Sequence, residues 1–256
     1  MLAVISPAKT LDFESPVRIR KHTLPEFATE TAALVEVMRR QKAPDLMRLM
    51  AISEQLAAQN VARYRTWSDD PTQNARQAVL AFMGDVYAGL DARSLGSRGL
   101  NSAQQRLRIL SGLYGVLKPL DLIQPYRLEM GTMLETARGK NLYRYWGPLP
   151  TAALNAQLEL LRSPYLVNLA SAEYFRVVDE KRLAGEVVTP VFKDWSSGEY
   201  KIVSFFAKRA RGMMARFVVE QRPRRPAELR DFASDGYRYD AKRSTAATLV
   251  FTRKRV

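Results

Sequence analysis

The chain has 256 residues, 46% of them hydrophobic, and a formal net charge of +14 at pH 7. This is enough apolar material for a sizeable core without disulfide or metal staples. The absence of cysteine excludes a disulfide framework, a thiolate zinc site, an iron–sulfur cluster and a cysteine nucleophile. The apolar start MLAVIS is too short for a signal-peptide core, and no run reaches the roughly 18 apolar residues of a membrane span. We therefore expect a cytoplasmic protein that makes no use of a membrane.

The positive charge is concentrated in the last part of the chain. Residues 201–256 contain 15 Lys and Arg against 5 Asp and Glu, whereas the first 200 residues contain 25 against 21. A late basic segment on a folded body is typical of a surface that faces a polyanion, most often nucleic acid. The alternative is a protein that uses arginine freely without such a partner, because overall charge discriminates weakly.

The first half of the chain reads as one strand followed by helices. Residues 2–5 are a short apolar run stopped by Ser6-Pro7, which predicts a buried strand and then a loop that carries Lys9 and Thr10. Residues 25–117 place apolar side chains mostly at three- and four-residue spacing, and the last of the predicted helices covers residues 102–117. A long loop, residues 119–131, follows that helix.

The second half mixes strands and helices. Strands are predicted at 166–169 and 249–252. A short helix is predicted at 171–178 and a longer helix at 207–221. The segments VVTPVF and YKIVSFF predict a hairpin with its turn at residues 196–198. With no internal repeat and no long linker, the whole chain, residues 1–256, is predicted to form one α/β domain of mixed α+β type.

The predicted helix 207–221 divides into an apolar face and a basic face. Lys208, Arg209 and Arg216 fall on one arc, Arg211 lies at its edge, and Gly212 lies in its middle. Glycine within a helix costs about 1 kcal/mol relative to alanine, so close approach of a phosphate or of another backbone would explain it. A solvated basic face with a packing glycine is the competing interpretation.

Polar residues are also gathered in the long loop and at two strand ends. In the loop, Arg127 and Glu129 could form a polar pair, with Tyr126 and Asp121 nearby as hydrogen-bonding or acid–base groups. The competing interpretation is a proline-stiffened connector whose charged residues pair to satisfy the loop backbone. Lys9 follows the first strand, where α/β proteins gather binding sites, although a single loop lysine is ordinarily only solvated. Ser171 fits a helix N-cap, and Glu173 in the first turn suits the helix dipole, a position that by itself implies no catalysis.

Metal and cofactor chemistry has little support in the sequence. His22 is the only histidine and there is no cysteine, so zinc, copper and haem have no ligand set. Neither a phosphate-binding P-loop nor a dinucleotide-binding glycine motif is present. We expect no cofactor and no metal.

Six segments carry a resemblance that runs from end to end of the chain. They are ISPAKTLDF (5–13), LMAISEQLA (49–57), LRILSGLYGVLKPLDLIQPYRLEMG (107–131), LYRYWG (142–147), NLASAEYF (168–175) and YKIVSFFAKRARGMMARF (200–217). Together they resemble the YaaA family of bacterial peroxide-stress proteins. The resemblance implies a family-specific single-domain fold with a positively charged cleft and a helix-hairpin-helix element. It also implies double-stranded DNA binding and a role in limiting DNA damage when iron and hydrogen peroxide coexist.

The resemblance also implies which residues form the cleft: Lys9, Arg127, Glu129, Lys208, Arg209 and Arg211. Lys118 stands where the family pattern has arginine, and the positive charge is kept. The helix-hairpin-helix element is placed at residues 44–67, with Arg63 and Arg65 facing DNA, although that stretch lacks the usual glycine-rich hairpin. Residues 95–99 supply glycines but do not belong to the family pattern.

The sequence thus predicts a monomeric, DNA-binding protein of the oxidative stress response that binds duplex DNA largely without sequence specificity. The phosphate contacts are expected from Lys9, Lys208, Arg209, Arg211 and Arg216, with Gly212 allowing close approach. The alternative is an enzyme that acts on a nucleic acid or nucleotide in the same cleft. Its catalytic candidates are Lys9, Tyr126, Glu129 and Glu173.

Overall fold

The structure is a computed structural model that describes residues 1–17, 19–70 and 72–254. Its centre is the first strand, β1 (Leu2–Ile5), in which all four residues are buried. A strand that is apolar on both faces can only lie inside a sheet covered on both sides. Here β1 has a parallel neighbour on each edge, so that Val4 is level with Arg108 on one side and with Asn168 on the other.

Helices and strands are interspersed along the chain. The remaining strands are β2 (Thr10–Leu11), β3 (Arg76–Gln77), β4 (Phe82–Met83), β5 (Leu107–Ser111), β6 (Gly115–Leu117), β7 (Leu122–Ile123), β8 (Tyr165–Leu169), β9 (Glu186–Ser196), β10 (Glu199–Lys201), β11 (Arg238–Tyr239) and β12 (Thr248–Arg253). The helices are α1 (Ala28–Arg39), α2 (Ala43–Met50), α3 (Glu54–Thr66), α4 (Ala78–Ala81), α5 (Asp85–Leu90), α6 (Ser97–Arg106), α7 (Leu142–Trp146), α8 (Leu149–Leu160), α9 (Ala172–Phe175) and α10 (Ser204–Gln221).

The central sheet is mostly parallel and has the strand order β11-β12-β9-β8-β1-β5-β6, with β10 paired to the outer part of β9. Strands β5, β1, β8, β9 and β12 run parallel, whereas β6, β10 and β11 pair antiparallel with their neighbours. The mixed α/β class predicted from the sequence is therefore confirmed.

The order of the strands reverses between β1 and β8. From β1 the chain returns to the sheet as β5 on one side, and from β8 it continues as β9 on the other side. At such a switch point the loops that follow the two strands diverge and leave a crevice at the carboxyl ends of the strands. The crevice after Ile5 and Leu169 is therefore the place where this topology leads us to look for a candidate site.

Several predicted elements are confirmed with small shifts in their ends. The strands at 2–5, 166–169 and 249–252, the turn at 196–198 and the helices of residues 28–66 are all present. The predicted helix 207–221 begins earlier, at Ser204, so SFF belongs to α10 and not to the second hairpin strand. The predicted helix 171–178 is only the single turn α9.

The helix predicted at residues 102–117 is wrong. The helix of this region, α6, ends at Arg106, and residues 107–111 form the fully buried strand β5 beside β1. A short apolar run has the same sequence pattern in a buried helix and in a strand covered on both faces. In this protein the run pairs with β1 and is therefore a strand. The helical spacing of residues 25–117 also predicts a helix over TQNARQAVLAFMGDVYAGL (72–90), which is wrong, because that stretch is divided into β3, α4, β4 and α5.

Helix α10 crosses α5 at unusually short range. A Cβ atom added to Gly212 would lie 1.8 Å from the carbonyl oxygen of Val86, and one added to Gly89 would lie 2.1 Å from the carbonyl oxygen of Arg209. Each helix thus contributes one glycine that lets the other backbone approach. This crossing fixes the position of α10 relative to the segment that follows β4.

Candidate functional site

A cavity of about 390 Å³ lies at the carboxyl ends of β1 and β8. We call it the β1–β8 cavity. The loop after β1 (residues 6–10), the start of α5 and the turn after β8 supply most of its lining, and Glu129 and α10 complete it. The two loops are tied together, since the backbone N–H of Ser171 donates to Ser6 Oγ at 2.9 Å.

Glu129 is the most constrained charged residue of the cavity. The Nε and Nη2 atoms of Arg127 donate to Glu129 Oε1 at 3.2 and 3.0 Å, and Lys9 Nζ lies 3.4 Å from the same oxygen. Arg127 is itself held, because Tyr64 Oη donates to its carbonyl oxygen at 2.8 Å. Glu129 Oε2 is buried and has no hydrogen-bond partner within residues 1–17, 19–70 and 72–254. A buried acceptor without a partner costs free energy, so a donor from an occupant would stabilise it.

Three cations and three carboxylates share the lining. The cations are Lys9, Lys208 and Arg211, and the carboxylates are Asp85, Glu129 and Glu173. The side chains of Lys9 and Lys208 are exposed, whereas Arg211 is half-buried, and burial lowers the pKa of its guanidinium. The carboxylate of Glu173 accepts the backbone N–H of Gly131 at 3.0 Å, which fixes the loop beyond Glu129. The lining is therefore mixed in charge and not uniformly positive.

The remaining wall of the cavity is aromatic and apolar. It includes Tyr87, Tyr174 and Met83. Tyr87 is held by a hydrogen bond of 3.1 Å from its hydroxyl to the carbonyl oxygen of Ser6, and burial raises the pKa of both tyrosines well above the ordinary value. Sequence reasoning did not identify Tyr87, Met83 or Asp85, because their segment had the pattern of one continuous helix.

Tyr126 does not line the β1–β8 cavity, although the sequence made it a catalytic candidate with Lys9, Glu129 and Glu173. Its hydroxyl lies 2.7 Å from Ser111 Oγ, both residues are buried, and burial raises the pKa of Tyr126 far above its ordinary range. It packs edge-on against Tyr114 and so belongs to the core. The other three candidates do meet in the cavity.

The basic residues of α10 separate into two groups. Lys208 and Arg211 face the β1–β8 cavity, whereas Arg209 and Arg216 line a second cavity of about 420 Å³ between α5 and α10. Arg216 Nη1 donates to the carbonyl oxygens of Leu90 and Asp91, and Arg216 Nη2 lies 2.9 Å from Glu220 Oε1. Arg216 therefore joins α5 to α10, and of this pair only Arg209 is an exposed side chain.

Gly212 is buried against α5, so the expectation that it lies open to a DNA phosphate is wrong. The neighbour that requires a glycine is another backbone, which was one of the two explanations the sequence allowed. Its place in the middle of the basic arc carries no information about ligands.

The predicted helix-hairpin-helix stretch contains the two helices α2 and α3, joined by residues 51–53. Ala51 ends α2 in the left-handed conformation, with φ of 49°, and Ser53 caps α3. Arg65 is exposed, whereas Arg63 is half-buried, lines a separate cavity with Asp12 and Pro125, and has its pKa lowered by burial. DNA contact by either arginine stays a prediction.

Within residues 1–17, 19–70 and 72–254, no group of three or more His, Cys, Asp or Glu side chains is placed to hold a metal ion. None of the helices in these ranges combines the length and the hydrophobicity of a membrane-spanning segment.

Comparison with known proteins identifies the family of the chain. The family model described as peroxide stress protein YaaA matches residues 1–243. UPF0246 proteins of Burkholderia mallei, Burkholderia pseudomallei and Burkholderia thailandensis are each 56% identical over 257 residues, which covers 99% of this chain and 99% of theirs. The resemblance seen in the sequence is confirmed, and the chain belongs to the peroxide stress protein YaaA family.

Proposed function

We propose that this protein binds double-stranded DNA in the cytoplasm as a monomer, largely without sequence specificity, and thereby limits iron- and peroxide-dependent damage. The observation that carries the proposal is the convergence of Lys9, Lys208 and Arg211 from two distant parts of the chain on one cavity. Lys9 and Lys208 are exposed, and such cations are suited to phosphate contacts, which position a protein on DNA without reading its sequence.

The surface around the cavity is better suited to a duplex than the cavity itself. Lys9, Lys208 and Arg209 are exposed, and the two residues of α10 are adjacent in the chain and face two neighbouring cavities. A DNA backbone lying across α10 would meet both. The α2–α3 pair, through Arg65, is the second surface that we propose for DNA contact.

The test is duplex binding measured by fluorescence anisotropy with several unrelated sequences. Reversing the charge at Lys208 and Arg211 together should weaken binding to all sequences alike. The matched control reverses Lys181 and Arg182, an exposed pair of the same charge outside the cavity lining. Equal loss in both variants would mean that only overall charge matters, and unchanged affinity in the first variant would remove the proposal.

An enzyme that acts on a nucleic acid or nucleotide is the second candidate, favoured by the carboxylates of Glu129 and Glu173 beside the cations. Carboxylates next to anion-binding groups are a common arrangement for acid–base chemistry on phosphorylated substrates. Purified protein should then convert some member of a DNA and nucleotide panel, and Glu129→Gln should abolish turnover while binding persists. If no member of the panel is converted, DNA binding remains as the only proposed function.

A further inference from the structure

We propose that the β1–β8 cavity holds one nucleotide, either free or rotated out of a DNA duplex, with its phosphate on Lys208 and Arg211 and a base N–H on Glu129 Oε2. For its DNA source, this inference rests on the proposed duplex binding. The cavity can take only a single residue of nucleic acid, because its volume of about 390 Å³ falls at the small end of ligand pockets.

The location of the cavity points to a ligand site. It lies where the strand order reverses between β1 and β8, and ligands of open α/β sheets bind in the crevice at such a point. Both loops that form the crevice are held in place, one through Ser6 and Ser171 and the other through Gly131 and Glu173. A site built on fixed loops needs little rearrangement to accept a ligand.

The charges of the lining match the two ends of a nucleotide. Lys208 and Arg211 lie on one helix and face the cavity together, as a phosphate monoanion or dianion requires. Every nucleobase carries at least one N–H donor in its pairing edge, and a base that has left the stack has that donor free. Glu129 offers the complementary acceptor, since Oε2 has no hydrogen-bond partner in residues 1–17, 19–70 and 72–254.

Lys9 can uncover the carboxylate of Glu129. The side chain of Lys9 is 68% exposed whereas that of Glu129 is 15% exposed, and the 3.4 Å between Lys9 Nζ and Glu129 Oε1 is longer than a good charge-assisted hydrogen bond. The phosphate of an entering nucleotide can therefore draw the exposed lysine away and open the path to Oε2. Arg127 remains on Oε1 and keeps the carboxylate oriented.

The apolar wall provides a place for the base. Tyr87 and Tyr174 line the cavity with Met83, whose side chain is partly exposed. Aromatic side chains bind bases of every sequence, because each base has a π-face. This agrees with binding that does not depend on sequence.

The first measurement is calorimetric titration of the wild-type protein with nucleoside 5′-monophosphates and with the matching nucleosides. The monophosphates should bind, and the nucleosides should bind at least tenfold more weakly. Lys208→Ala, at an exposed position, should reduce monophosphate affinity and leave nucleoside affinity unchanged, a difference that a loss of folding would not produce. Glu129→Gln should weaken the monophosphate about tenfold relative to its matched control, Glu159→Gln on α8. Equal monophosphate affinity in these two variants would overturn the assignment of Glu129.

The second measurement separates the two sources of the nucleotide. A duplex with one 2-aminopurine is brought to saturation with protein, and an increase in emission reports a base that has left the stack. If the emission does not change and the monophosphates do not bind either, the inference is overturned. Anisotropy measured on the same duplex then shows separately whether the proposed DNA binding holds. Monophosphate binding without any duplex binding assigns the cavity to a free nucleotide and removes the proposed function instead.

Discussion

Gly212 of α10 and Val86 of α5 are in backbone contact, so close that a Cβ on the glycine would lie 1.8 Å from the valine carbonyl oxygen. The replacement Gly212→Ala must therefore push the two helices apart. Overpacking of a well-packed interior costs about 1–3 kcal/mol and occasionally more, so we expect the free energy of unfolding to fall by at least about 2 kcal/mol.

Denaturant unfolding of Gly212→Ala checks this expectation. Gly96→Ala is the matched control, because a Cβ at Gly96 meets no described atom within 4 Å and its φ is negative. We expect that control to change stability by less than about 1 kcal/mol. Comparable losses in both variants would mean that the close crossing of α5 and α10 is not the cause.

Replacing Arg209 and replacing Arg216 should affect different properties, DNA affinity and stability respectively, although both residues lie on the same basic arc in the sequence pattern. Arg216→Ala removes hydrogen bonds to α5 and the ion pair with Glu220, so it should lower the free energy of unfolding by about 1–3 kcal/mol and change DNA affinity little. Arg209→Ala should leave the free energy of unfolding nearly unchanged and should weaken duplex binding about two- to fivefold. Thermal unfolding and anisotropy on both variants decide, and identical behaviour would contradict the division of α10 into two groups.

The division of α10 marks the limit of what the sequence could predict. The helical period correctly placed Lys208, Arg209 and Arg216 away from the core, but the period says nothing about which other element approaches the helix. For that reason Gly212 appeared accessible to a ligand. The glycine is in fact required by the close backbone of α5, a short helix within a stretch whose pattern is that of one continuous helix. Lys9 at the end of β1 was correctly placed, since a buried strand stopped by Ser6-Pro7 leaves its loop at the sheet edge.

The misplaced helix at residues 102–117 has a different cause. Leu107 and Leu110 have helical spacing, yet they lie in β5, which is covered on both faces and therefore shows no alternation. Pairing of β5 with β1 is a long-range contact that no local pattern encodes. The same holds for the site, where Lys9, Glu129 and Lys208 come together only through the strand order.

Breaking the buried ion pair between Arg253 and Asp194 should strongly destabilise the fold around the C-terminal strand. Arg253 Nε donates to Asp194 Oδ1 at 2.7 Å, Tyr237 Oη donates to Oδ2 at 2.7 Å, and both charged side chains are nearly inaccessible. Arg253→Met would leave the carboxylate buried without its counter-charge, which costs about 3–5 kcal/mol. Arg243→Met, at a half-exposed pair with Asp240, is the control and should cost less than about 1 kcal/mol. Chemical denaturation compares the two, and a small loss at Arg253 would contradict this account of how β12 is anchored.

Asp12 should make the protein acid-sensitive. The backbone N–H of Ser15 donates to its Oδ1, and chiefly for this reason the pKa of Asp12 is lowered from 3.8 to about 2. Because the folded state holds the proton less tightly than the unfolded state, the contribution of Asp12 is present above pH 3.8 and is lost as the pH falls towards 2. Asp12→Asn should therefore flatten the decrease of unfolding free energy between these pH values. Equal slopes for the wild type and the variant would show that Asp12 is not responsible.

The salt dependence of duplex binding tests the central proposal most directly. If Lys9, Lys208, Arg209 and Arg211 together neutralise three to four phosphates, the logarithm of the binding constant should fall against the logarithm of salt concentration with a slope of about −3 to −4. Reversing Lys208 and Arg211 should reduce the magnitude of that slope by about 1 to 2, whereas reversing Lys181 and Arg182 should leave it unchanged. A flat titration of the wild-type protein, or the same slope in both variants, would contradict duplex binding at the β1–β8 cavity.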